Sequence, residues 1–219
     1  MKTLKKTPLP RKKPSQSRSQ VTLQALQEAF VRVLVERGYE KMTIREVVAV
    51  AGVGIGTFYD YMPNLRSLAG STINKRCTES ATVLSSTMAL HEGLSLELTV
   101  EQLLKALVKE GFGKPKEWTA LLLLERQVSS ADALKKIHDH FVQIWASAIR
   151  HSTFKIDDDK LISVSRMAHA ISYGWYSHDL LFYIDDPRHR RSIDEITQGI
   201  VGIIQHTVTP QMQCSSPSK

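Results

Sequence analysis

Apolar residues return along most of this chain at intervals of three and four. No stretch alternates convincingly with period two, so the pattern predicts an all-α protein. Leu26, Ala29, Phe30, Val33 and Leu34 mark a first helix from Val21 to Arg37, ended by Gly38 with Tyr39 packed beneath the turn. Ile44, Val47, Val48 and Ala51 form one buried stripe of a short second helix. Thr43 and Glu46 have capping-box spacing at its start, and Gly52 supplies the left-handed residue that stops it. A third helix runs from Gly54 to Met62 with Phe58 and Met62 inward, and Val53 plugs the corner. Pro63 and Asn64 open a fourth, with Leu65, Leu68, Ala69 and Ile73 inward.

Beyond these the pattern predicts five further helices. A loop from Met88 to Leu98 precedes a helix from Thr99, boxed by Gln102, to Lys109. Gly111, Gly113 and Pro115 then break the chain. Helices follow over Lys116 to Gln127, Asp132 to Ile149 and Lys160 to Ile184, the last stopped by Asp185, Asp186 and Pro187. Ser192 and Glu195 cap a final helix ending near Val208. The serine- and proline-containing ends, 1–19 and 209–219, are expected to be disordered.

Composition changes this picture mainly through the placing of charge. The formal charge is +7, and Lys2, Lys5, Lys6, Arg11, Lys12, Lys13 and Arg18 account for all of it. A neutral body with a cationic arm suits a polyanionic partner, through the minor groove or the phosphates, or else the arm is a solubilising tail. From Cys77 onward the balance is 15 basic residues against 17 acidic, so that part is not the nucleic-acid contact. Two cysteines, Cys77 and Cys214, make neither a disulfide framework nor a metal knuckle. Without an 18-residue apolar run or a secretory leader, a cytoplasmic protein with no membrane contact is expected.

Two short helices joined by a glycine turn, with small and polar residues outward on the second, read as a helix-turn-helix. Residues 21 to about 76 carry RGYEKMTIREV (Arg37 to Val47), AGVGIGTFYDYM (Ala51 to Met62) and PNLRSL (Pro63 to Leu68). This stretch, roughly a quarter of the chain, resembles the DNA-binding domain of the tetracycline-repressor (TetR) family of bacterial regulators. The resemblance implies four parts: a basic arm over 1–19, a DNA-binding domain over 20–66, a helical ligand-binding and dimerisation domain over 67–208, and a tail over 209–219. It further implies that Thr43, Gly54, Ile55, Gly56, Thr57, Tyr59, Asp60 and Tyr61 surround the major groove, Tyr61 being equally able to pack inside. Gly56 allows close approach, Thr57 offers a hydroxyl or methyl, and the tyrosines suit phosphates. Arg45 is the candidate for bidentate guanine recognition, its other role being a surface partner for Glu46 or Asp60. Family members often carry a lysine where Leu65 stands, so either Arg66 or the arm holds that phosphate or the contact is absent.

In the family the last two helices of each subunit form a four-helix bundle. Ile193, Ile196, Gly199, Ile200, Gly202, Ile203 and Ile204 are the matching face here, with intrachain packing as the alternative. A homodimer on a pseudo-palindromic operator in double-stranded DNA follows. The resemblance also implies a pocket for a small-molecule effector, with Trp118, Phe141, Trp145, Met167, Tyr173, Trp175 and Tyr176 as candidate lining, though each is also a plausible core residue. No cofactor or metal is expected. His138 and His140 lie about 200° apart on a helix and cannot easily share an ion, and His169 and His178 read as structural or surface residues. No nucleophile–base pair, phosphate loop or paired carboxylate supports an enzyme. The sequence thus reads as a ligand-released repressor, with a sequence-independent architectural DNA binder using the arm as the rival.

Overall fold

The computed structural model describes residues 17–208; most of the basic arm, the tail and Cys214 lie outside them. Nine α-helices fill this span: α1 (Ser17–Arg37), α2 (Ile44–Ala51), α3 (Ile55–Tyr61), α4 (Leu65–Ala89), α5 (Leu96–Gly113), α6 (Pro115–Val128), α7 (Ala131–His151), α8 (Asp158–Phe182) and α9 (Ile193–Val208). Among the described residues there is no strand. Helix α1 begins at Ser17, inside the segment expected to be disordered.

Helices α1 to α3 form a head around Leu26, Phe30, Val47, Phe58 and Met62, which are almost wholly buried. That core does not end where the sequence divided the chain, between residues 66 and 67. Leu68, Ala69 and Ile73 of α4 and Leu121, Leu124 and Val128 of α6 belong to the same apolar cluster. A second cluster joins the far half of α4 to α5, α7, α8 and α9, with Leu104, Ile149, Val164 and Ile200 at its centre. Helix α4 therefore spans both cores.

Both predicted ends of α5 move. Helix α5 starts at Leu96, one turn before Thr99, because Ser95 accepts a hydrogen bond from the Leu98 N–H (3.3 Å). Thr99 is then interior and buried, and its Oγ1 has no partner among the described residues. The loop before it is short, held where the Gly93 N–H donates to the His151 carbonyl (3.0 Å) and the Thr153 N–H to Leu94 (2.8 Å). Gly111 does not break the chain: α5 runs on to Gly113, and the absent side chain is where Tyr176 of α8 fits. At α9 the box forms as spaced, the Ser192 N–H donating to Glu195 (2.8 Å) and the Glu195 N–H to Ser192 Oγ (3.1 Å).

Candidate nucleic-acid interface and cavity

Helix α2 is only eight residues long, so its ends matter. The Glu46 N–H donates to Thr43 Oγ1 (3.2 Å) while the Thr43 N–H donates to Glu46 Oε2 (2.9 Å), closing the capping box. These bonds from Thr43, and secondarily the Arg37 charge, hold the Glu46 carboxyl below its usual pKa. Gly52 takes φ 68° and ψ 31°, a left-handed conformation that a side chain would strain. The Val53 N–H then reaches back to the Val48 carbonyl (3.1 Å), and Gly54 precedes α3 in extended conformation.

Phe58 and Met62 anchor α3 to the head, which fixes the opposite face outward. Ile55, Gly56, Tyr59 and Asp60 are exposed there, and Gly54, Thr43 and Arg45 stand beside them. Thr57 is half-buried. Tyr61 is half-buried too and packs against the head core, so its ring is largely inside. Tyr59 stands edge-on to Phe58, with ring centroids 5.3 Å apart. Glu46 turns to Thr43 and Arg37 rather than to Arg45, and no ion pair holds Arg45 among the described residues. The guanidinium is open to a partner.

Arg66 is elsewhere. Its Nη2 donates to the Gln127 and Val128 carbonyls (3.3 and 3.1 Å), which close the C-terminal end of α6. Expected at a phosphate, it instead caps a helix whose last carbonyls lack intrahelical donors. It ties the first turn of α4 to α6.

Behind the head lies a cavity of ≈ 520 Å³. Helix α6 presents Trp118, Leu121, Leu122 and Glu125, and α8 presents His169, Ser172, Tyr173 and Tyr176, each spaced as one helical stripe. Phe141, Trp145 and His138 of α7 close it, with α4 and α5 completing the wall. Five candidate residues are thus brought together: Trp118, Phe141, Trp145, Tyr173 and Tyr176. Met167 and Trp175 are not, since both pack against the body core away from the cavity.

Sequence reasoning missed the polar members of the wall, although the stripes at 118/121/122/125 and 169/172/173/176 could have revealed them. His169, set aside as structural or surface, stacks on Phe141 (5.7 Å, 4°) with His138 5.1 Å away. Burial, and then the His138 charge, lowers its pKa to about 4. The Tyr173 hydroxyl donates to Glu125 Oε2 (3.4 Å). Burial raises the pKa values of Glu125, Tyr173 and Tyr176 and pushes the Cys77 thiol up to about 12.

The α9 face divides. Ile196 and Ile200, expected at a dimer interface, are buried in the chain's own core, as is Ile204. Gly199, Gly202 and Ile203 face outward, and nothing among the described residues stands within 4 Å of a Cβ built at either glycine. A helix must bury its strongest stripe somewhere, and here the stripe meets α5 and α8.

Residues 26–69 match the family described as "Bacterial regulatory proteins, tetR family". No curated protein matches the chain. A TetR-family transcription regulator from Marinobacter aquaeolei VT8 is similar in structure, with 13% identity, a TM-score of 0.64, and coverage of 87% of this chain and 97% of that one. A transcriptional regulator from Rhodococcus sp. Rha1 gives 16% identity, a TM-score of 0.66, and coverage of 86% and 99%. The fatty acid degradation regulator FadR from Bacillus halodurans gives 15%, 0.62, and 92% and 98%. At such identities these likenesses speak for the fold. The chain has a TetR-like fold, and residues 26–69 of its head match the tetR family.

Proposed function

We propose that this chain is a ligand-responsive transcriptional repressor. It binds a pseudo-palindromic operator as a homodimer in the cytoplasm and leaves it when a small molecule fills the cavity. The observation that carries the reading is the outward face of α3, fixed by the buried Phe58 and Met62 and flanked by Arg45, which no ion pair holds among the described residues. Thr57 and Tyr59 suit phosphates and thymine methyls, Gly56 permits close approach, and Arg45 can read guanine. A two-fold dimer through the outer faces of α8 and α9, with Gly199, Gly202 and Ile203 at its seam, would set two heads about 34–36 Å apart.

Release follows from differential affinity. A molecule that binds more tightly to a conformer whose head spacing mismatches the operator shifts the population towards it, and one that binds both equally does nothing. Arg66, joining α4 to the end of α6, lies on the physical route between wall and head.

Selection of bound sequences from random duplex DNA at fixed salt tests the reading. A two-fold symmetric motif supports it. Salt-sensitive binding without enrichment would instead indicate an architectural DNA binder. On the selected site, Arg45→Ala should lower affinity about tenfold or more, with little change on unrelated DNA. Equal loss on both refutes base readout.

A further inference from the structure

We propose that the cavity receives an amphiphilic organic cation, a protonated amine or quaternary ammonium on an apolar body, with its charge seated against Glu125. This rests on the reading of the cavity as an effector site. Glu125 is the sole acid among the described residues of the wall and is only 8% exposed. Its contacts are loose: Tyr173 Oη at 3.4 Å and Arg126 Nε at 3.9 Å, both to Oε2. No hydrogen bond reaches Oε1 among the described residues. A buried carboxylate so weakly compensated is an unfilled demand for a donor or a positive charge.

The bases of the wall are engaged elsewhere or stand at its rim. Arg76 is held by Glu28 (2.7 Å), Glu79 (3.4 Å) and Glu117 (3.6 Å), more acids than one guanidinium neutralises. The Lys135 side chain is 73% exposed and paired with Asp139, and the Arg126 side chain is 67% exposed. A ligand anion would therefore find the bases either held by acids or exposed at the rim, where water screens them. A cation meets an under-used carboxylate, with the Trp118, Tyr173 and Tyr176 rings in the same wall. Aromatic faces attract cations most where water is excluded, and apolar surface dominates the rest of the wall.

The test is a ten-carbon series on the full-length chain: decyltrimethylammonium, decan-1-ol and decanoate. Binding is read by titration calorimetry and by the fluorescence of Trp118 and Trp145. The cation should bind about tenfold more tightly than the alcohol, and decanoate more weakly than either. Glu125→Gln should abolish the cation's advantage while leaving decan-1-ol within about twofold, a contrast that general unfolding would not produce. Alcohol binding without a preference for the cation, or a cation affinity unmoved by Glu125→Gln, overturns the charge assignment and leaves the effector cavity standing. Failure of all three to bind overturns both.

Discussion

Replacing Gly111 by alanine tests the packing of the cavity wall most directly. In an ordinary helix interior this change is favourable by about 0.5–1 kcal/mol, because alanine has less backbone freedom to lose. Here a Cβ would lie 2.2 Å from Tyr176 Oη and 2.3 and 2.5 Å from Cε2 and Cζ. Ordinary contact begins near 3.5 Å, so the ring must retreat by more than about 1 Å. Tyr176 is 5% exposed and edge-on to Phe112 at 6.2 Å, and its free side is the cavity. Overpacking of this kind costs about 1–3 kcal/mol, which outweighs the helical gain and predicts a net loss of about 0.5–2 kcal/mol. Urea unfolding of Gly111→Ala, Tyr176→Leu and the double variant separates the two contributions. With the ring removed, alanine should become stabilising by about 0.5–1 kcal/mol. A Gly111→Ala protein as stable as the wild type, or one equally destabilised in both backgrounds, refutes the argument.

Two further effects can be read from the site. His169 stays neutral down to about pH 4 in the fold, whereas the unfolded chain protonates it near 6.5. The unfolded state therefore binds the extra proton between these values, and stability is full above about pH 6.5 and falls as pH drops towards 4. The loss at pH 5 should be about 2 kcal/mol. Denaturant unfolding of the wild type and His169→Leu across this range should show the steeper fall in the wild type, and parallel curves would sink the assignment. Thr43→Ala removes one half of the α2 capping box and should cost about 1 kcal/mol, lowering Tm by about 2–4 °C. An unchanged melting curve would mean that the box adds nothing to a helix already held by Val47 and Val48.

The local structure of the head was legible in the sequence because its signals are local. Thr43 and Glu46 satisfy each other across three residues, Gly52 is dictated by one backbone conformation, and Phe58 with Met62 fixes which side of α3 faces out. The same holds for the Ser192–Glu195 box. Where a local signal misled, as with Thr99 and Gln102, the structure starts α5 one turn earlier at the Ser95 cap and leaves Thr99 buried in the helix interior.

What only the tertiary structure decided concerns partners distant along the chain. Gly111 reads as a breaker until Tyr176, 65 residues on, fills its place. Arg66 is a surface base until the end of α6 presents the Gln127 and Val128 carbonyls to it. The α9 isoleucines form one apolar stripe whose periodicity cannot say whether the covering helix belongs to the same chain. The fold answers for Ile196 and Ile200 and leaves Gly199, Gly202 and Ile203 outside. A cavity is likewise a property of several helices at once, so aromatic content found five of its lining residues but not Glu125 or His169. Spacing fixes which residues share a helix face; packing alone fixes what that face meets.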